Sequence, residues 1–181
     1  MVRARSSWWL LFILLLSAAG AHARNPADAF KGRIVLSTKP FPARFSSDAR
    51  FISHMKSVDT KHFAFAGTEE EEGVNVEFMA FFARPYTATE FTGTIYDTTE
   101  GQRMVTSFPV YPNQRETRIL ASFMKLDKAS FPDEDRQYLF VITHNTRVIA
   151  ETKFVIKESP QHRADRQAEE RALRKGSVVN F

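Results

Sequence analysis

The chain has 181 residues, with 25 Lys and Arg against 21 Asp and Glu, 17 Phe, two Trp and no Cys. That length allows one ordinary domain with extensions, but not two full cores. The absence of cysteine excludes disulfides, cysteine-ligated zinc, iron–sulfur clusters, a thiol nucleophile and a lipid-modified N-terminal cysteine.

Arg3 and Arg5 precede an apolar run from Trp8 to Leu16, followed by small residues that end in Ala21-His22-Ala23. A positive start, roughly ten apolar residues and an A-x-A end are the three parts of a secretory signal. Cleavage is expected after Ala23. The competing reading is an uncleaved anchor, yet a membrane-spanning helix requires about 20 apolar residues. No other stretch approaches that length, so the mature chain is expected to be soluble and exported, to the periplasm or outside the cell. Losing Arg3 and Arg5 lowers the formal charge of +4 by two, and both Trp leave with the signal. All but one of the 17 Phe remain. A nearly balanced charge leaves no electrostatic footprint for nucleic acid.

Gly32 to Thr38 (GRIVLST) is the first strand candidate. Ser46-Ser47-Asp48 then precedes Phe51, Ile52 and Met55, an N-cap followed by apolar residues at helical spacing. This predicts a short helix over about 48–57, with a strand at 50–55 as its rival. Lys61 to Ala66 (KHFAFA) is a second strand. From Val74, alternation puts Val74, Val76, Phe78, Ala80 and Phe82 on one face, with Asn75 and Glu77 on the other. Met79 and Phe81 interrupt the polar face, and Arg84-Pro85 is expected to end the strand. Glu90 to Tyr96 and Arg103 to Phe108 flank an acidic, Gly-containing turn and read as a hairpin. Arg115 to Met124 and Gln137 to Thr143 follow. The last strand, Arg147 to Lys157, sets Val148, Ala150, Thr152, Phe154 and Ile156 on one side, after a turn at His144-Asn145-Thr146. About eight strands at such spacing predict an antiparallel sandwich or barrel, not alternating βα units.

Leu126, Phe131-Pro132-Asp133 and Tyr138, ahead of Leu139-Phe140-Val141, resemble the E–F corner of immunoglobulin and fibronectin type III sandwiches. In those folds a Tyr near the start of strand F bonds back to the upstream backbone. The resemblance implies an immunoglobulin-like antiparallel β-sandwich of seven or eight strands, with Tyr138 at the corner. It covers about fifteen residues, the core Trp and Cys pair are missing, and it implies no activity. Beyond it, Ser159-Pro160 opens a charged helix whose Ala164, Ala168 and Ala172 recur at spacing four. Arg166 with Glu170, and Glu170 with Arg174, are i, i+4 ion pairs on it. The expected organisation is a signal peptide over 1–23, a sandwich over 24–158, and a helical tail over 159–181.

Motifs of chemistry are sparse. His54, His62, His144 and His162 form no i, i+4 pair and no HExxH pattern, so no metal ligand set is assigned. No G-x-S-x-G or other activated-serine motif occurs, and no catalytic residue or cofactor site is assigned. Asp59, Asp97 and Glu77 could meet in three dimensions, but nothing marks them out. Glu69 to Glu72, between Gly67 and Gly73, reads as a solvated loop that discourages edge pairing, since calcium prefers spaced ligands. Phe78, Met79, Phe81 and Phe82 read as a central strand covered on both faces, or more sharply as a partner-binding patch. Phe181 admits capture of a C-terminal carboxylate by a peptide-binding groove, against a frayed end. The function expected is a non-enzymatic exported interaction or structural module, partnered by another exported protein or a cell-envelope component. The alternative is a carbohydrate-binding protein or a hydrolase whose site forms only in three dimensions.

Overall fold

The computed structural model describes residues 25–65, 73–132 and 135–176. The expected signal peptide, the Glu69–Glu72 run and Phe181 lie outside them. Asn25 opens a one-turn helix, α1 (Pro26–Ala29), by accepting the Ala27 amide at 2.9 Å. Strand β1 (Arg33–Ser37) follows, then α2 (Asp48–Val58), whose N-cap Ser47 accepts the Arg50 amide at 3.3 Å. The helix forms in place of the rival strand at 50–55, because a hydroxyl cap and the 51-52-55 apolar stripe act together.

The remaining strands are β2 (His62–Ala64), β3 (Gly73–Thr87), β4 (Phe91–Asp97), β5 (Arg103–Val110), β6 (Glu116–Asp127), β7 (Arg136–His144) and β8 (Arg147–Lys157). A last helix, α3 (Pro160–Gly176), closes the described chain, and its described side chains are exposed. The strands form one sheet in the order β5-β4-β7-β8-β1-β3-β6, with β2 also on β8. The protein is therefore mostly β, but the two stacked sheets expected of a sandwich are replaced by a single sheet curled into a half-barrel. It is also mixed, since β1 and β2 both run parallel to β8. Period-two alternation shows which face of a strand is buried; it carries no information on whether a sheet splits or curls.

The curl is visible in the connectivity. Edge strands β5 and β6 are consecutive, and only Tyr111–Arg115 joins them. Five residues span at most about 20 Å, so the two ends of the sheet approach one another across a narrow opening. Side chains from every strand except β5's exposed half fill the concave interior, among them Phe78, Phe82, Phe91, Phe140 and Phe154. A second cluster lies on the convex face, where Phe51, Ile52 and Met55 of α2 cover Val35, Met79 and Phe81. That helix explains why Met79 and Phe81 break the polar face of β3: both sides of this strand are covered. The partner-patch reading of Met79–Phe81 is thereby overturned.

Two departures from regular pairing matter. Strand β3 continues past Pro85 to Thr87, because Phe82–Pro85 bulge out opposite Arg118. Inside a bulge, proline removes no ladder bond, so it does not end the strand. Second, β1 meets β8 at a single pair, Arg33 with Glu151. Past that point the strands part, and Lys61 fills the gap. Its ammonium contacts Asp59 Oδ1 at 2.8 Å, donates to the Ile34 carbonyl at 3.4 Å and reaches the Thr152 hydroxyl. Asp59 in turn accepts the Leu36 amide at 3.2 Å. The side-chain pair thus serves backbone groups that a continuous ladder would have satisfied.

Gly93 allows Phe108, on an edge strand, to close over the core. A Cβ at Gly93 would lie 2.8 and 2.9 Å from the Phe108 ring and 3.2 Å from Phe140. Phe108 stacks on Phe140 at 5.9 Å, so the bare backbone is sealed by aromatic rings. Gly93→Ala is expected to destabilise by about 1–3 kcal/mol through this overlap. Urea unfolding followed by far-UV circular dichroism checks it; an unchanged midpoint would mean that Phe108 swings aside freely.

Candidate functional site

Among the described residues β5 and β6 are the outermost strands of the sheet order, and β6 is the longer. Phe81 directs its carbonyl to the β1 side, where it accepts the Gly32 amide at 2.8 Å. Its partner on β6, Ile119, must then turn its own N–H and C=O away from β3. By the two-residue period, Ala121, Phe123 and Lys125 do the same. At one end the Asp127 carbonyl accepts the Phe131 amide at 3.0 Å. At the other, the Thr117 hydroxyl donates to the Ile119 carbonyl and accepts its amide. Between these local caps, at Ala121, Phe123 and Lys125, the outward donors and acceptors meet no partner among the described residues.

Side chains on this edge are unusual. From Ile119 to Met124 there is no charge, and Phe123 is 74 % exposed on the convex face beside exposed Ala121. Edge strands are ordinarily guarded by charge, proline or a cover. Grooves run along the edge: one of about 410 Å³ beside Glu116–Ala121, another of about 250 Å³ between Phe123–Asp127 and Thr106 and Phe108 of β5. Met104 on β5 and Tyr111 just beyond it add two more exposed apolar side chains, each 62 % accessible. Backbone hydrogen-bonding groups beside apolar side chains are what an added strand requires.

A second concave feature, of about 440 Å³, lies at one end of the sheet around Asp97, Arg103 and Arg136. Asp97 ends β4 with its carboxylate buried. Arg136 Nη1 donates to Oδ2 at 2.9 Å, Arg103 approaches the same oxygen at 3.8 Å, and the Thr99 amide donates to Oδ1 at 2.9 Å. Burial alone raises the pKa of this carboxyl; hydrogen bonds from Thr99 and Arg136, with the Arg136 charge, outweigh it and hold the pKa below the ordinary value. A carboxylate held ionised in this way cannot donate a proton near neutrality. It ties the β4–β5 turn to the start of β7, where Thr98 and Thr99 also bond Gln137. This is a structural clamp.

The other residues singled out by sequence are dispersed. His54 packs against Phe45 on α2, His62 is exposed at the start of β2, and His144 sits in the β7–β8 turn against Tyr86 and Phe91. His162 lies on α3. Asp59 is engaged with Lys61, Asp97 with Arg136, and Glu77 faces Phe123 across the β3–β6 ladder, so the three carboxylates do not meet. Among the described residues, no group of three His, Asp or Glu is arranged to hold a metal ion. Also among them, no helix is long and apolar enough to cross a membrane. Leu126, Phe131 and Tyr138 are all buried in one corner, with Tyr138 T-shaped to Phe131 at 5.2 Å and stacked on Phe154 at 5.3 Å. The edge itself escaped sequence reading. Its only signal was the uncharged run Ile119–Met124, which is indistinguishable from a buried central strand until the strand order is known. No protein-family model matches this chain, and no curated protein matches it.

Proposed function

We propose that the protein is an exported, non-enzymatic interaction or structural module that works in the periplasm or outside the cell by accepting a strand along β6. The observation that carries this reading is an uncharged edge with outward-facing amides and a 74 % exposed Phe123. Strand addition derives affinity from main-chain bonds and selectivity from side chains at alternate positions. Kinship with immunoglobulin-like sandwiches, in this reading, is confined to the Leu126–Phe131–Tyr138 corner, which acts as packing. A hydrolase would use a carboxylate or histidine free to exchange protons, and the buried carboxylate beside the 440 Å³ cleft is ion-paired.

Affinity capture tests the proposal. Tagged protein purified after export, its mass beginning at Arg24, is expected to retain a partner from an envelope extract, further copies of itself included. A truncation after Glu158 is expected to retain it equally, whereas Phe123→Lys is expected to lose it. If neither wild type nor truncation captures anything, and the purified protein hydrolyses a glycoside or ester panel, the interaction reading fails.

A further inference from the structure

We infer that the groove between β6 and β5 is the anchor pocket of the accepted strand, and that its occupant is a lone, extended, uncharged segment of another chain carrying one large apolar side chain. The inference rests on the strand-accepting reading above and names the kind of partner.

The outward backbone groups and the groove occupy the same stretch of β6. Ala121, Phe123 and Lys125 turn their amides and carbonyls outward, whereas those of Ile119 are already served by the Thr117 hydroxyl. A ladder is therefore confined to the stretch from Ala121 to Lys125. The groove of about 250 Å³ opens beside Phe123, Met124 and Lys125. Residues opposite one another in a ladder share a face, so the partner residue across from Met124 points to the concave side. Its side chain thus enters the groove. The floor there is Ile95, Met124 and Phe131, all buried, with the half-buried Phe108 ring as the far wall. An apolar cavity of about 150 Å³ accommodates a benzene ring, so this groove has room for one leucine- or phenylalanine-sized side chain.

Strand β5 selects what can lie against the edge. A folded sheet offering its own edge would bring a further strand about 10 Å from β6, by the ladder spacing. Thr106 and Phe108 of β5 line the far side of the groove and stand in its way. A single segment without neighbours meets no such obstacle. It pairs with β6 and not with β5, where Pro109 has no amide to offer. Composition follows from charge: Ile119–Met124 carries none, and Lys125 and Asp127 cancel at the end of the strand. A charged segment would lose hydration there without gaining a partner.

Titration of isotope-labelled protein, purified after export, with capped peptides of about seven residues tests the inference. A serine–threonine peptide with a central leucine is expected to bind and to shift the amide signals of Phe108, Met124 and Phe131. Alanine in place of that leucine is expected to weaken binding about tenfold, and aspartate to abolish it. Thr106→Phe fills the groove from β5 without altering β6. It is expected to weaken the leucine peptide about tenfold and to leave the alanine peptide unchanged. Thr106→Leu, a smaller filling, covers the case in which the phenylalanine variant misfolds. Lys125→Pro removes an outward amide of β6 and is expected to weaken both peptides.

Leucine and alanine peptides that bind equally, and are both lost in Lys125→Pro, would overturn the anchor pocket and leave the strand-accepting reading intact. Octanol bound in the groove, with no peptide bound, would make it a small-ligand site and overturn the inference. If no peptide binds, yet a partner is captured through Phe123, the lone segment is overturned while the strand-accepting reading stands. Neither peptide binding nor capture would overturn both.

Discussion

Phe140→Ala is expected to cost about 4 kcal/mol of folding stability. The Phe140 ring is fully buried, T-shaped to Phe78 at 5.0 Å and stacked on Phe108 at 5.9 Å. It also backs Gly93, which has no side chain to move into the vacated space. Its neighbours sit on β3, β4 and β5, held by ladders on β1, β6 and β7, so the wall around the cavity cannot collapse far. The cost should therefore fall toward the upper part of the range for large-to-small substitutions. For a domain of this size the melting temperature should drop by roughly 10 °C. Phe140→Leu refills much of the volume and should lose less than half as much. Thermal unfolding of the two variants decides the matter; equal losses would show that ring geometry, not volume, holds this part of the core.

Asp97→Ala should cost about 3 kcal/mol, because it leaves the partly buried Arg136 guanidinium and the Thr99 amide without their acceptor. Arg103, largely in solvent, adds little to that figure. The same carboxylate gives stability an acid limb. Its folded pKa lies below the ordinary carboxylate value near 3.8. A carboxyl with a lowered folded pKa stabilises fully above its unfolded value, and that contribution disappears as pH falls through the folded value. Asp97→Asn preserves shape and removes the charge. The difference between wild type and Asp97→Asn should be constant near neutrality, shrink below pH 3.8 and vanish in stronger acid. A difference that persisted unchanged in acid would mean that the clamp acts by shape alone.

Local features of the fold were legible because they depend on neighbouring residues. The Ser47 cap with its apolar stripe gave α2. The His144-Asn145-Thr146 turn gave the β7–β8 hairpin, in which Asn145 and Thr146 both take positive φ, at 47° and 67°, as a type I′ turn requires. Ala150, Thr152, Phe154 and Ile156 of β8 are buried on one face as alternation indicated. Val148 is the exception, 48 % exposed, while Ile149 is buried. A register shift between Ile142 and Thr143 inverts the pattern there, and bulges leave no mark on hydrophobic period.

Strand order was not legible, and the candidate site depends on it entirely. The residues of β6 read alike whether the strand is central or peripheral; only its pairing with β3 alone makes Phe123 an edge residue. The parallel attachment of β1 and β2 to β8 is equally invisible, since it joins segments separated by most of the domain. The Asp97 clamp shares this limit. Its partners come from the start of β5 and the start of β7, which spacing along the chain does not bring together.

Placing consecutive strands β5 and β6 at opposite ends of the sheet also has a consequence for the order of assembly. The β4–β5 and β7–β8 hairpins close between neighbouring segments, a process of microseconds. Strand β6 must instead find β3 across the whole intervening β4–β5 hairpin, joining Phe81 to Ile119, and the entropy of that closure is paid before any contact repays it. The two hairpins are thus expected to form first, the β3–β6 ladder after them, and the attachments of β1 and β2 to β8, which span far more of the chain, last. The β6 edge is therefore completed only after both hairpins have closed, which shortens the time for which a partly folded chain presents it. Under the proposed strand-accepting role, recognition through β6 would then follow hairpin formation instead of competing with it.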